Sequence, residues 1–446
     1  MLDALIDSLL KGRVILSKYL HDFVVGIDVS SDFSIVAMLA PEGDLIRKPF
    51  RIDHNPAGFE AFLKTLKNEE ERLKRKPIFF VESTGIFHLP LFFFLRSNDL
   101  KGFVLNPLCV HSTKNFDLRK VKNDKKDALA IAKLAKYQDI KVSLVPEPEI
   151  ISLRMLSREY FALADNLTDC KLRFMNDLRL LFPGFLDSFK DPFTAAALDL
   201  LKEYPSPKAL MRADYDAVVE KISKASRRSI AWATEKLNPL FEAAKLAKTM
   251  GLEFISLETK LRIQIQTIES LMHSMDSIEN AMREQIDSEA FPLAFRKNIH
   301  LLDAMPGIGF ITAITLIAEM GDFTKFRSPK AFAAFFGVDP SVNESGKFKG
   351  DLNRMSKRGT KLGRRVLFIA AMASIRTTRK GEATNAVLRD YYQQKITSKK
   401  KKVALVAVMH KLLHYIFAVL RDQKPFEIRS PEDHWKHQQA KLRVVA

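Results

Sequence analysis

The chain has 446 residues, 47% of them apolar, the make-up of an ordinary globular protein with room for two or three cores. Its 71 Lys+Arg outnumber 53 Asp+Glu, and the formal net charge of +18 points to a polyanionic partner, nucleic acid or an acidic membrane surface. Two cysteines, Cys109 and Cys170, exclude a disulfide framework and a cysteine zinc site.

The opening stretch Met1–Leu20 is apolar, but Asp3 and Asp7 interrupt it. It lacks the basic start and small-residue cleavage site of a secretory signal, so a soluble cytoplasmic protein is expected. Residues 21–150 then alternate strand-like and helix-like stretches. Phe23–Val29, Phe33–Leu39 and Leu45–Ile52 are short apolar runs with Pro41-Glu42-Gly43 as a turn, which predicts a three-strand meander. A helix pattern over Pro56–Arg75, a strand Ile78–Glu82, a helix reaching Leu95 and a strand Lys101–Asn106 follow. That order belongs to the α/β class.

Four acids stand out in this region. Asp28 and Glu82 each end an apolar run that reads as a buried strand, while Asp124 and Asp127 sit three apart at a helix start and so share one face. Oxygen donors of this kind suit a pair of hard divalent cations that stabilise the attacking and leaving oxygens of a phosphodiester. For Asp124 and Asp127 alone, favourable placement at a helix N-terminus is an equally good explanation. Between Ser112 and Lys136 lie 8 basic and 3 acidic residues, a positive rim beside these carboxylates.

From Ile151 to about Ile299 the strand signals vanish and apolar residues recur at helical spacing. Phe241–Ile286 is the longest such run, carrying Leu246, Met250, Leu257, Leu261, Ile265, Ile268, Leu271 and Met275. It predicts a long hairpin or coiled coil serving as spacer or oligomerisation region, with breakers at Phe182-Pro183-Gly184 and Tyr204-Pro205-Ser206-Pro207. Expected domains are therefore 1–150, 151–299 and 300–446.

The last region is mostly helical. It opens on Pro306-Gly307-Ile308-Gly309 before an apolar helix Phe310–Met320, similar to a helix-hairpin-helix element whose Gly307 and Gly309 amides contact phosphates; an ordinary helix–helix turn is the plainer alternative. Ser341–Lys402 holds 17 Lys+Arg against 4 acids, so +13 of the excess lies in 62 residues. Lys347, Lys349, Arg354, Lys357, Arg358, Lys361, Arg364 and Arg365 belong to this footprint. Ser345, before Gly346, has the placement of a nucleophile toward phosphate, with Ser356 in competition; Ser-Gly is also common turn chemistry. Val403–Leu420 contains His410, Lys411 and His414 and predicts an amphipathic helix rather than a membrane span.

Taken in order, Gly26-Ile27-Asp28, Val81-Glu82-Ser83-Thr84-Gly85, Asp124-x-x-Asp127-Ala128, Pro306-Gly307-Ile308-Gly309 and Glu344-Ser345-Gly346 resemble the insertion-sequence transposases of the IS110 family. The resemblance covers roughly residues 23–136 and 300–376. It implies a ribonuclease-H-like (RuvC-like) domain whose Asp28, Glu82, Asp124 and Asp127 bind Mg2+, and a C-terminal domain whose Ser345 attacks DNA through a covalent intermediate. It further implies donor and target DNA, a structured guide RNA, and a homo-oligomer, a dimer of dimers, with a composite site. Two alternatives remain: a RuvC-like junction endonuclease that uses water, and a non-catalytic nucleic-acid scaffold.

Overall fold

A computed structural model describes residues 17–82, 85–105, 124–140, 142–143, 145–249, 255–340, 344–345, 348–349 and 355–445, which form two compact units, Met1–Pro146 and Glu147–Ala446. In the first, β1 (Phe23–Val29) and β2 (Phe33–Leu39) pair antiparallel, and β3 (Phe50–Asp53) continues the meander outside β2. The third strand is shorter than the run Leu45–Ile52: Leu45 makes only an isolated bridge to Leu39 and is exposed, so its apolar side chain has no sheet face to bury against. After α1 (Pro56–Leu73), β4 (Pro77–Glu82) lies parallel to β1 on its other side. Then come α2 (His88–Ser97), β5 (Lys101–Leu105) parallel to β4, α3 (Asp124–Tyr137) and the two-residue β6 (Val142–Ser143) antiparallel to β5. The sheet order is β3-β2-β1-β4-β5-β6. β1 and β4 are central and covered on both faces, which is why they read as almost unbroken apolar runs.

Each strand divides its side chains between two cores. Val25 and Ile27 of β1 and Phe79 and Val81 of β4 meet Phe62 and Leu66 of α1 and Leu91 and Leu95 of α2. Val24 and Phe80 face the other way, onto Ala128, Ile131, Ala132 and Ala135 of α3. Asn55 caps α1 by accepting from the Gly58 amide at 2.8 Å with Pro56 in the first turn, and the helix stops before Arg75 because Lys74 turns left-handed at φ +48°.

Among its described residues, the second unit is built of helices and one small hairpin. Its frame is α4 (Pro148–Leu181), followed by α5 (Phe185–Ser188), α6 (Ala195–Glu203), α7 (Pro207–Leu210), α8 (Tyr215–Ser226), α9 (Ile230–Thr249) and α10 (Ile255–Asp287). α4 and α10 pack antiparallel: Gln285 donates to the Glu149 carbonyl at one end and Lys260 to Asp177 at the other. Both helices pass through two cores. Phe174 and Leu178 join Leu261, Ile265 and Ile268 with α6, α8 and α9 around them, while Ile150, Leu153, Met282 and Ile286 enter a second core. The run Phe241–Ile286 is thus two helices, and Leu246, three residues before α9 ends, is exposed rather than part of a continuous stripe. Met250 lies outside the described residues.

The second core is completed by α11 (Leu293–Asp303), α12 (Phe310–Met320), α13 (Pro329–Phe336), the hairpin β7 (Glu344–Ser345) and β8 (Phe348–Lys349) with its stem, α14 (Lys361–Ser374), α15 (Ala386–Ile396) and α16 (Lys401–Asp422), with α17 (Pro431–Val445) last. α16 has the length and composition to cross a membrane, yet Leu405, Val408, Met409, Leu412, Leu413 and Ile416 are buried in this core.

Candidate active site

The register of the parallel pair sets Gly26 beside Phe80 and Ile27 beside Val81, so one residue further Asp28, next to last in β1, comes level with Glu82, the last residue of β4. Alternation puts both on the α3 face: Val24 and Phe80, an even number of residues before them, pack on that helix. Asp28 is half-buried and Glu82 is buried.

The helix reaches the same end of the sheet. A Cβ on Gly26 would fall 2.4 Å from the Ala132 nitrogen and 2.5 Å from the Ala128 carbonyl oxygen, so α3 lies directly on the β1 backbone. Its far end is fixed at the start of β1, where the buried Lys136 ammonium donates to the Asp22 and Pro41 carbonyls and Ser17 donates to the Ala135 carbonyl. Burial pushes Lys136 below the ordinary lysine range, against the pull of Asp22 and Glu42. The helix therefore runs antiparallel to β1 and delivers its first turn to the strand ends. Asp127, half-buried, directly precedes Ala128, and Asp124 is exposed one turn earlier.

All four predicted acids thus lie toward the same end of the sheet, on the α3 side. Their donors are hard carboxylate oxygens, so the set suits a divalent cation in its chemistry. Among the described residues, however, no group of three or more His, Cys, Asp or Glu is drawn close enough to cage a metal.

In the second unit, Ser345 is placed by its backbone. Glu344 pairs with Lys349 and Ser345 with Phe348, so the serine is the last residue of β7. Lys347 and Arg354 lie outside the described residues. The hairpin rises from a tight stem in which Pro340 bridges Met355, the Ser356 amide donates to the Asp339 carbonyl at 2.8 Å, and the Lys357 amide donates to the Gly337 carbonyl at 3.1 Å. Gly337, at φ +64°, and Gly359 meet back to back. A Cβ on Gly359 would lie 2.2 Å from the Phe335 carbonyl oxygen, so this crossing needs a residue without a side chain.

Ser356 lies in that stem and donates its hydroxyl to Asp339 at 2.6 Å. Asp339 precedes Ser356 by 17 residues, a separation that local sequence spacing does not pair. Sequence reasoning also missed Glu319, a buried carboxylate on α12. Glu319 accepts from Arg158 at 2.9 Å and from the Thr360 hydroxyl at 2.7 Å, and Thr360 in turn caps α14 through the Gly363 amide at 3.2 Å. The stem is thereby tied to α4 and α12.

The basic footprint divides in two. Lys357, Arg358 and Lys361 are exposed. Arg364 instead donates to the Phe336 and Gly359 carbonyls, and burial pushes it below the usual arginine range. Arg365 grips Asp165 through two hydrogen bonds of 2.7 and 2.6 Å and lies over the Phe161 ring. Gly307 has φ +93° and abuts Ser374, whereas a Cβ on Gly309 would meet nothing within 4 Å, leaving that backbone open to approach.

Two family models match this chain: the DEDD transposase domain, described as Transposase, over residues 25–183, and Transposase IS116/IS110/IS902 family over residues 299–393. The chain is 27% identical over 237 residues to the insertion element IS110 uncharacterized 43.6 kDa protein of Streptomyces coelicolor, covering 52% of this chain and 53% of that one. It is 24% identical over 332 residues to the insertion element IS116 uncharacterized 44.8 kDa protein of Streptomyces clavuligerus, covering 70% and 74%. A third relative, the pilin gene-inverting protein of Moraxella bovis, is 29% identical over 175 residues, 38% of this chain and 51% of that one. The match thus spans about half the length of the first and third. A sheet domain matched by the DEDD transposase model and a helical unit matched by the second model make the chain similar to DNA transposases and recombinases. Both matched models and the IS116 relative make the chain similar to the IS110/IS116 family of transposases. The DEDD domain also points to divalent-metal dependence.

Proposed function

We propose that this protein cuts and rejoins the DNA strands of an insertion sequence, with a metal site at Asp28, Glu82, Asp124 and Asp127 and Ser345 as nucleophile. The observation that carries the reading is the level placement of Asp28 and Glu82 at the same end of the neighbouring strands β1 and β4, toward which α3 directs its first turn. The sheet order and the helix on that face support a ribonuclease-H-like, RuvC-like fold for the first unit. Domains of 1–150, 151–299 and 300–446 remain the proposed organisation, the middle serving as spacer and oligomerisation region.

The four carboxylates would hold Mg2+, which when bound neutralises phosphate charge and polarises the scissile phosphodiester. The chain's own residues do the rest. Glu82, buried at the strand end, would supply oxygens beside Asp28, and α3 would bring Asp127 to them. Ser345 gives up its proton as its oxygen bonds to phosphorus, and the bond from phosphorus to the departing deoxyribose oxygen breaks; that oxygen takes a proton and leaves as a hydroxyl. The product is a phosphoserine ester that a second DNA hydroxyl resolves in strand exchange. Exposed Lys357, Arg358 and Lys361, with Lys347, Lys349 and Arg354, would hold DNA phosphates, as would the open Gly309 backbone. Arg364, Arg365 and Gly307 would act one step back, by fixing this surface. A structured guide RNA, a homo-oligomer and a cytoplasmic site of action complete the proposal.

Recombination between two plasmid-borne element ends tests it. Asp28→Asn and Ser345→Ala should each abolish product while retaining DNA binding. Full recombination by Ser345→Ala would remove the serine from the chemistry.

A further inference from the structure

A cavity of about 450 Å3 opens in the second unit between the loop joining α5 to α6 and the turn joining α8 to α9. No step proposed above uses it. Lys190, Arg228 and Lys236 line it, and among the described residues none of the three is in an ion pair. Asp191 is the opposing charge, and its carboxylate already accepts from the Phe193 amide at 3.0 Å. The half-buried Trp232 supplies an aromatic wall.

Two further features point to an anionic occupant. α6 begins at this cavity with Thr194 as its N-cap, and no side chain caps it, so its first amides lack internal partners. Ser188, only 4% exposed, also lines the cavity, and its buried hydroxyl has no hydrogen-bond partner. A buried hydroxyl without a partner costs free energy until something supplies one. Cations, helix amides and a spare hydroxyl suit a phosphate; an aromatic wall beside them suits a base.

We propose that this cavity seats one nucleotide of a single-stranded nucleic acid, its phosphate held by Lys190, Arg228, Ser188 and the amides opening α6, and its base stacked on Trp232. The proposal rests on the reading of the protein as a DNA recombinase and adds a single-strand site remote in sequence from both sets of proposed catalytic residues.

The chain has two tryptophans, so Trp435→Phe leaves Trp232 as the only indole fluorophore. The full-length variant is titrated with a twelve-residue oligothymidylate in EDTA, which prevents turnover. Saturable quenching is expected, weakened about tenfold by Lys190→Ala with Arg228→Ala, and with a log–log salt slope shallower by about 0.7 for the one phosphate no longer neutralised. Both positions are exposed, so melting should not change. Absence of quenching, quenching equal in the double variant, or tighter binding of adenosine monophosphate than of the strand would each overturn the proposal. Failure of the recombinase reading is separate: it would show as no duplex binding and no strand exchange by the unaltered chain.

Discussion

Gly26→Ala is the sharpest perturbation of the acid site that leaves every acid in place. The new methyl would sit 2.4 Å from the Ala132 nitrogen, 2.5 Å from the Ala128 oxygen and 2.7 Å from the Ala132 Cβ. Two of those contacts are backbone, so no side chain can swing aside, and α3 must retreat by about 1 Å to restore ordinary packing distances. Overpacking of this kind costs about 1–3 kcal/mol. The same shift carries Asp127 away from Asp28 and Glu82, and a misplacement of about 1 Å costs roughly 10²-fold in rate. The assay pairs single-strand cleavage of supercoiled element DNA with thermal melting. A cooperatively folded variant with cleavage down about a hundredfold is expected. Cleavage within twofold of the parent would refute the claim that α3, seated on Gly26, positions the site.

Asp28→Asn and Glu82→Gln should each reduce strand cleavage at least a hundredfold in variants that still melt cooperatively; EDTA should reproduce the loss in the parent and excess Mg2+ should reverse it. Glu319→Gln keeps the size of the side chain but weakens its grip on Arg158 and Thr360, and should lower stability by about 1–3 kcal/mol in urea melts. Ser356→Ala should weaken strand transfer through a loosened hairpin stem and be rescued in part by Ser356→Thr, whereas Ser345→Ala should allow no rescue by any residue but a nucleophile. Tyr415, its hydroxyl facing His434, has its ionisation pushed well above the usual tyrosine range, first by burial. The folded state therefore keeps that proton at a pH where the unfolded chain has lost it. Stability should fall by about 1.4 kcal/mol per pH unit above about pH 10, and Tyr415→Phe should remove that part of the slope in melts compared at pH 9 and pH 11.

The strand ends were legible because burial on both faces leaves a run such as Phe23–Ile27 almost wholly apolar, so the acid that stops it is conspicuous. The helix start at Asp124 was legible from local spacing. The contact that joins the two was not: Gly26 and Ala132 are brought together by chain reversal, and a glycine in a strand does not announce what lies on it. The same limit hid Glu319, which finds Arg158 across 161 residues and Thr360 across 41. Arg365 looked like part of a phosphate footprint by charge alone, yet its guanidinium faces Asp165, 200 residues away. Leu246 fitted a helical stripe by spacing, but α9 buries Ala244 and Ala247 and leaves Leu246 on its outer face. Local periodicity gives elements and their ends; partners across the chain decide which charges are left for DNA.

The account stands most directly on the identity of the covalent bond to DNA. A nicked, radiolabelled element-end substrate that stalls after the first step should leave a protein–DNA adduct, and peptide mapping should locate it on Ser345. The adduct should be absent in Ser345→Ala and lost on chelation or in Asp28→Asn. An adduct on Ser356, or complete strand transfer with no adduct at all, would contradict it.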